Sequence, residues 1–156
     1  MNKYMNVAKQ LADENLITNV GGPFGACVVK NGEIIGRGSN HVLSNNDPTA
    51  HAEIMAIRDA CNNIGSYDLS DCEIYTSCYP CPMCLSAIMW ANIRTIYYGN
   101  TKEDAAKIGF KDDYIYKCIN NLDKDNENDL VFNQIDRDET IDSFNKFMDK
   151  EDKTIY

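Results

Sequence analysis

The sequence lacks the features that mark membrane and secreted proteins. No stretch of the 156 residues approaches the roughly 18 consecutive apolar residues that a membrane-spanning helix needs, and residues 1–6 contain no apolar run typical of a signal peptide. The seven cysteines are odd in number and do not have the regular spacing of a disulfide framework, which favours a reducing compartment. We therefore expect a soluble, cytoplasmic protein.

Basic residues are also scarce. Fifteen Lys and Arg residues are outnumbered by 24 Asp and Glu residues, which gives a net charge of −9 and a pI near 4.6. Such a chain repels polyanions on average, whereas nucleic-acid-binding proteins generally present a basic face. We expect a small, neutral substrate rather than nucleic acid.

The hydrophobic pattern predicts one domain in which strands alternate with helices. Residues 3–16 have the apolar spacing of an amphipathic helix, and Asn31-Gly32 is typical of a tight turn between two strands, Ala26–Val29 and Glu33–Gly36. This alternation predicts an α/β fold with helices layered on a sheet. The other predicted elements are helices at Ala50–Cys61, Pro82–Ala91 and Ile141–Asp149, strands at Glu73–Ser77, Thr95–Gly99 and Leu130–Gln134, a short helix or turn within Ala105–Cys118, and a polar loop at 120–129.

Two short motifs carry the chemistry. His51 is followed two residues later by Glu53, and Cys81 and Cys84 stand in the sequence Pro-Cys-Pro-Met-Cys. One histidine and two cysteines supply three zinc ligands, and a zinc ion held by three side chains keeps a fourth position for water, as in catalytic sites. Residues two apart diverge by about 200° within a helix, so His51 and Glu53 can share one site only at a helix end. We therefore predict two helix N-termini that meet at one zinc ion.

Glu53 is predicted to carry protons in this site. Zinc lowers the pKa of bound water to about 7. Glu53 is expected beside that water rather than on the metal. It would take a proton from the water and give it to a ring nitrogen, and would then protonate the departing amine. Two simpler interpretations remain: Glu53 as an ordinary first-turn helix glutamate, and Cys78 as a fourth ligand that closes a structural zinc site.

The pairing of H-x-E with P-C-x-x-C resembles the cytidine deaminase-like superfamily, and within it the bacterial guanine deaminases. The likeness runs over nearly the whole chain. It implies a three-layer fold with a mixed central sheet, one Zn²⁺ per subunit, a homodimer, and conversion of guanine to xanthine and ammonia. The residues that carry it are Gly21 to Ala26, Ser39-Asn40, Asn46 to Glu53, Tyr75 to Cys78, and Gly109 to Tyr116.

The resemblance also implies which residues bind the base. Phe24 stands among glycines, where its ring could lie against a planar base, and Asn40 could pair with a purine edge through both atoms of its amide. The simpler alternatives are a core position for Phe24 and a turn-capping role for Asn40. Ala52 is a further substrate-binding candidate. A carboxylate after Gly109-Phe110 is expected to bind the guanine edge; Lys111 interrupts the family pattern, and ungapped matching favours Asp112 over Asp113.

Other expectations concern the C-terminal segment and three aromatic or histidine residues. In the family, a C-terminal segment that ends in an aromatic residue is exchanged between subunits and closes the pocket. In this chain the corresponding segment is about 130–156, and Tyr156 is the corresponding aromatic residue. Trp90 is either a core residue or a pocket wall, and the core is preferred. His41 is expected in a hydrogen-bonded loop, and Tyr79 stands where many relatives have glutamate.

Three rival functions are left open by the sequence. A tRNA adenosine deaminase shares the metal motif, although the acidic balance argues against it. A cytosine or nucleoside deaminase is a second rival. A zinc-stabilised binding module without turnover is the rival from another class, and removal of zinc should unfold it outright.

Overall fold

The structure of the chain is a computed structural model that describes residues 1–110, 112–122 and 130–155. The chain divides into two compact units, residues 1–117 and 118–156. Among the described residues, no helix is long and apolar enough to cross a bilayer.

The elements predicted between residues 3 and 99 occur in the predicted order, with one further short helix that was not predicted. The strands are β1 (Gly25–Lys30), β2 (Glu33–Ser39), β3 (Cys72–Cys78) and β4 (Thr95–Asn100). The helices are α1 (Lys3–Thr18), α2 (Val42–Asn45), α3 (Ala52–Ile64), α4 (Pro82–Trp90), α5 (Lys102–Lys107), α6 (Asp112–Asn120) and α7 (Arg137–Asp149). The two central turn residues, Asn31 and Gly32, both have positive φ angles, as the predicted hairpin requires.

The four strands form one mixed sheet in the order β2-β1-β3-β4. β1 pairs antiparallel with both β2 and β3, whereas β3 and β4 are parallel. The parallel pair needs a crossover, which α4 supplies. β3 is therefore a central strand, and its C-terminal end leads directly into the Pro-Cys-Pro-Met-Cys motif.

The two faces of the sheet are covered by different helices. Ala26 and Val28 of β1 belong to a core cluster with residues of α3 and α4. Cys27 and Val29 alternate with them and pack with residues of α1 on the opposite face. The predicted three-layer arrangement, with a mixed sheet between helices, is confirmed.

The contact between α3 and β2 is unusually close. A Cβ atom added to Gly38 would lie 2.4 Å from the carbonyl oxygen of Ala52 and from the amide nitrogen of Ala56, so only glycine permits this approach. The buried face of α3 consists of Ala52, Glu53, Ala56 and Ala60. The larger apolar residues Ile57 and Cys61 are partly buried and pack against the same core, because only small side chains fit where α3 and β2 are closest.

The second unit contains α7 and the segment before it. The predicted strand at Leu130–Gln134 does not form: residues 130–136 have irregular backbone, and Val131 and Phe132 are 83% and 73% exposed. A strand needs a hydrogen-bonding partner, and the described strands of the chain provide none for this segment. α7 has no buried residue, and its Phe144, Phe147 and Met148 are exposed. Most of the predicted loop at 120–129 lies outside the described residues.

Candidate active site

Two helix N-termini bring three potential metal ligands together. His51 is the N-cap residue of α3, and Cys81 is the N-cap residue of α4. Cys84 follows in the first turn of α4, where Pro82 occupies a position that needs no backbone donor. The ligand atoms of these three residues all lie within 4.8 Å of one another. The predicted convergence of the two motifs is therefore present in the fold.

The spacing of these atoms fits a zinc ion. Nδ1 of His51 is 3.5 Å from Sγ of Cys81 and 3.6 Å from Sγ of Cys84. Tetrahedral zinc with bonds of about 2.3 Å to sulfur and about 2.0 Å to nitrogen separates such donors by about 3.5 Å. One nitrogen and two sulfur donors also match the preference of zinc rather than that of calcium or magnesium.

The electrostatics of the two thiols differ. A hydrogen bond from the Cys84 thiol, assisted by His51, lowers the pKa of Cys81 to about 4. The same hydrogen bond, together with burial, raises the pKa of Cys84. The hydrogen bond between His51 and Cys81 raises the pKa of His51. The three side chains thus hold one another in place through shared protons, which a metal ion would displace.

Glu53 lies beside this cluster, in the first turn of α3. Its side chain is 6% exposed, and Oε1 accepts a hydrogen bond of 3.1 Å from the hydroxyl of Thr76 on β3. Burial is the largest effect on this carboxyl group and raises the pKa of Glu53. A buried carboxyl group with a raised pKa can exchange protons near neutral pH.

Two residues of the cluster, His51 and Cys81, line a cavity of about 380 Å³. The base-binding candidates Phe24, Asn40 and Asp112 line it together with His51, Glu53 and Cys81. The ring of Phe24 meets the ring of Phe110 edge to face at 4.9 Å. The remaining lining residues are Gly21, Gly22, Val42, Leu43, Pro48, Cys78 and Tyr79.

Asn40 is held so that its amide nitrogen is available. Its Oδ1 accepts the backbone N–H groups of Gly22 at 3.3 Å and Val42 at 3.2 Å. These two bonds occupy the oxygen and leave the amide nitrogen as the group that Asn40 can present to the cavity, whereas the sequence suggested both amide atoms. The buried side chain of Asn15 on α1 donates to the carbonyl oxygens of Gly22 and Asn40, at 2.8 and 2.7 Å, and links the two loops.

Asp112 supplies the carboxylate at the cavity. It is the first residue of α6 and is half-buried, whereas Asp113 is exposed. Burial raises the pKa of Asp112. The helix is tied to the metal-binding loop, because the hydroxyl of Tyr116 donates to the carbonyl oxygen of Pro80 at 2.8 Å. The ammonium group of Lys102 lies over the rings of Tyr79 and Tyr116.

Two expectations from the sequence, a fourth ligand at Cys78 and a loop position for His41, can be compared with this geometry. Cys78 is absent from the described cluster of potential ligands; its thiol donates to the carbonyl oxygen of Thr101 at 3.6 Å. His41 precedes α2, and its Nδ1 lies 3.1 Å from the hydroxyl of Ser44, as expected for a hydrogen-bonded loop histidine. A closed four-ligand site is therefore not the arrangement that the described residues form.

Three predicted substrate contacts need correction or lie outside the described residues. Ala52 is fully buried between α3 and the sheet and does not line the cavity, because it belongs to the core cluster that includes Ala26 and Val28. Trp90 is 67% exposed and is neither a core residue nor a pocket wall, since it lies about 200° around α4 from buried Ile88. Tyr156 lies outside the described residues.

Sequence reasoning missed Thr76 and Asn15. Thr76 stands in a strand with no motif of its own, and its contact with Glu53 becomes visible only when α3 packs on β3. Asn15 follows Leu11 and Ala12 at helical spacing, so a polar residue at a core-facing position of α1 was the available signal.

A three-layer α/β fold with a His-Cys-Cys centre at two helix N-termini, and a buried glutamate beside it, defines the zinc-dependent deaminases of bases and nucleosides. A family model described as "Cytidine and deoxycytidylate deaminase zinc-binding region" matches residues 1–100, a range that contains all three potential ligands.

Three relatives extend this result. The chain is 45% identical to a guanine deaminase of Bacillus subtilis over 153 residues, which covers 98% of this chain and 97% of the relative. A crystal structure of guanine deaminase from that organism superposes with a TM-score of 0.92 and covers 100% of this chain and 99% of the other. A guanine deaminase structure from Nitrosomonas europaea gives a TM-score of 0.66 at 33% identity, covering 70% of this chain and 63% of the other.

A tRNA-specific adenosine deaminase of Buchnera aphidicola is 41% identical over 102 residues, which is 65% of each chain. The chain belongs to the cytidine and deoxycytidylate deaminase family, its cofactor is zinc, and it is a deaminase.

Proposed function

We propose that the protein catalyses the zinc-dependent hydrolysis of guanine to xanthine and ammonia. The observation that carries the proposal is the combination of one donor and one acceptor in the cavity next to Glu53. Asn40 presents an amide NH₂ group because its oxygen is already occupied, and Asp112 presents a carboxylate.

Guanine has the complementary pattern. Its O6 and N7 atoms are acceptors suited to Asn40, and its ring N–H groups are donors suited to Asp112. Adenine lacks the O6 acceptor, and cytosine is a single ring. A site built from hydrogen-bonding groups rejects an analogue that leaves them unpaired by about 10⁴-fold or more. The match to a guanine deaminase over nearly the full length of the chain supports the same substrate.

In the proposed mechanism, His51, Cys81 and Cys84 hold the zinc ion and Glu53 moves the protons. Bound zinc makes a water molecule nucleophilic at neutral pH. The Glu53 carboxylate accepts a proton from the attacking water and delivers it to the ring nitrogen next to the carbon that bears the amine. It then passes the second proton to the amine, which leaves as ammonia. Phe24 and Phe110 cover the base and keep bulk water out.

The main test is ammonia release from zinc-loaded protein with guanine, cytosine, adenine, guanosine, cytidine and an adenosine-bearing tRNA stem-loop in parallel. We expect turnover of guanine alone. Turnover of the stem-loop would favour the tRNA deaminase, and turnover of cytosine or cytidine would favour the second rival. A zinc-bound protein silent with every substrate would contradict the proposal and favour a binding module.

Glu53→Gln tests the assignment of the proton carrier. We expect zinc content to stay at the wild-type level and kcat to fall by about 10²- to 10⁴-fold, because general acid–base catalysis is lost. Glu33→Gln, at an exposed glutamate of β2, is the matched control. An active, zinc-loaded Glu53→Gln protein would show that another group moves the protons.

We further propose one catalytic domain per subunit, a cytoplasmic homodimer active in purine catabolism, and exchange of about residues 130–156 between subunits. All seven cysteines are free thiols, as a reducing compartment would keep them. Exposed apolar residues in the tail support exchange: Phe144 and Met148 are one helical turn apart on α7, and Val131 and Phe132 precede it. Such a concentration of exposed apolar surface marks an interaction site.

Mixed dimers test this exchange. We expect Tyr156→Ala to lower activity if the tail closes the pocket. Mixing Tyr156→Ala with inactive Glu53→Gln then restores activity only if tails are exchanged, since an intact body receives an intact tail from its partner. Mixed dimers no more active than Tyr156→Ala alone would contradict exchange, and a single-subunit mass in sedimentation would contradict the dimer.

A further inference from the structure

We propose that Thr76 is a positioning residue for Glu53: its hydroxyl anchors one carboxylate oxygen and leaves the other to carry protons. The proposal rests on the deaminase function proposed above and assigns a role to a residue outside both zinc motifs.

The fold fixes Thr76 rigidly beneath Glu53. The backbone of Thr76 pairs with Ala26 of β1 on one side and with Tyr98 of β4 on the other. Its side chain points to the same face of β3 as core residue Ile74, which is the face covered by α3 and α4. At 1% exposure the hydroxyl has no access to bulk water, and the 3.1 Å bond to Oε1 of Glu53 satisfies it.

The donors around the carboxylate do not contribute equally. The Thr76 hydroxyl donates to Oε1 of Glu53 at 3.1 Å, and the nearby Cys84 thiol and the Glu53 backbone also lower the pKa of this carboxyl group. Once Cys84 binds zinc it does so as a thiolate and has no proton to donate. Among the described residues, Thr76 is then the side-chain donor that remains on Glu53.

One anchored oxygen suits the task of Glu53. The carboxylate must accept a proton from the water and then donate protons to a ring nitrogen and to the departing amine. A displacement of about 1 Å at such a group can lower the rate by about 10²-fold. A hydrogen bond to Oε1 defines a pivot about which Oε2 can reach each partner. The neighbouring hydroxyl cannot substitute, because Ser77 points to the opposite face and accepts the backbone N–H of Gly25 at 3.1 Å.

Thr76→Val, Thr76→Ser and Thr95→Val form the test, each assayed with guanine and for zinc content. Valine keeps the branched shape and removes the hydroxyl. We expect Thr76→Val to lower kcat by about 10- to 100-fold, the cost of one hydrogen bond to a charged group, with KM and zinc content unchanged. Thr76→Ser keeps the donor and should restore kcat to near the wild-type value. Thr95→Val, at an exposed residue of β4, should not change it.

The outcomes separate this role from a structural one and from failure of the proposed function. Equal impairment of Thr76→Val and Thr76→Ser, loss of zinc, or a rise in KM at constant kcat would each overturn the proposal. A wild-type protein without guanine turnover would instead contradict the proposed function. A crystal structure of Thr76→Val is independent of turnover: a shifted Glu53 carboxylate supports the anchoring role, and an unmoved one overturns it.

Discussion

The two halves of the cavity are built in different ways. The metal floor, which consists of His51, Glu53, Cys81 and Cys84, is set on the N-termini of α3 and α4. The base wall, which consists of Phe24, Asn40, Phe110 and Asp112, stands on segments that flank regular elements, outside the strands and at the start of α6.

This difference separates chemistry from specificity. Each motif of the metal floor is determined mainly by local sequence, because helix N-termini favour thiolates and each motif fixes its own spacing. The wall depends on contacts between distant segments, such as the bonds from Asn15 to the carbonyl oxygens of Gly22 and Asn40. Changes in the floor should therefore abolish the reaction, whereas changes in the wall should alter which base is accepted.

The largest effect is expected from Cys84→Ser in the metal floor. Loss of a surrounding second-layer partner typically costs about 10- to 100-fold in metal affinity, so loss of a direct ligand should cost more than about 100-fold. Zinc content by atomic emission and ammonia release should fall together. Much of the fold should persist by circular dichroism, because the core cluster of the sheet does not depend on the metal.

Cys78→Ser is the matched control for this prediction. Cys78 lies outside the described ligand cluster, so we expect this variant to keep its zinc. Zinc loss in both variants would restore the closed four-ligand site as the better interpretation, and outright unfolding on chelation would favour a structural metal.

A smaller but more selective effect is expected from Asp112→Asn in the base wall. A hydrogen bond to a charged group contributes about 10- to 100-fold in binding, so kcat/KM for guanine should fall by that factor while zinc content stays constant. Asp113→Asn, at the exposed neighbour, should have little effect. The reverse ranking of the two variants would show that Asp113 contacts the base.

The fold followed from the sequence wherever local pattern and tertiary packing agree. The Asn31-Gly32 turn, the alternating strands and the two motif helices formed as predicted, because turn geometry and apolar period act over a few residues. The deepest burial on α3, at Ala52, Ala56 and Ala60, was not predictable, because it follows the close approach of the helix to Gly38, which no single-segment pattern records.

The site shows the same division. The ligands and Glu53 are visible as spaced motifs, and their convergence was predicted because the three ligands can share one zinc ion only if the two helix ends meet. The contact of Thr76 with Glu53 joins residues 23 apart in sequence and arises from the stacking of β3 against α3. The exposure of Trp90 depends on which face of α4 packs against the core. The predicted strand at Leu130–Gln134 failed because a local apolar pattern does not show whether a neighbouring strand is available for pairing.

The smallest effect is expected where floor and wall are joined, at Tyr116→Phe. The Tyr116 hydroxyl ties α6, and with it Asp112, to the carbonyl oxygen of Pro80 just before Cys81. Its loss should cost about 1 kcal/mol, or roughly fivefold, and appear as a higher KM for guanine rather than a lower kcat. Tyr97→Phe, which removes a hydroxyl outside the cavity and keeps the ring stacked on Tyr75, is the control. If Tyr116→Phe lowered kcat or zinc content instead, the bond would support the metal floor, and the two halves of the cavity would be less independent than their construction indicates.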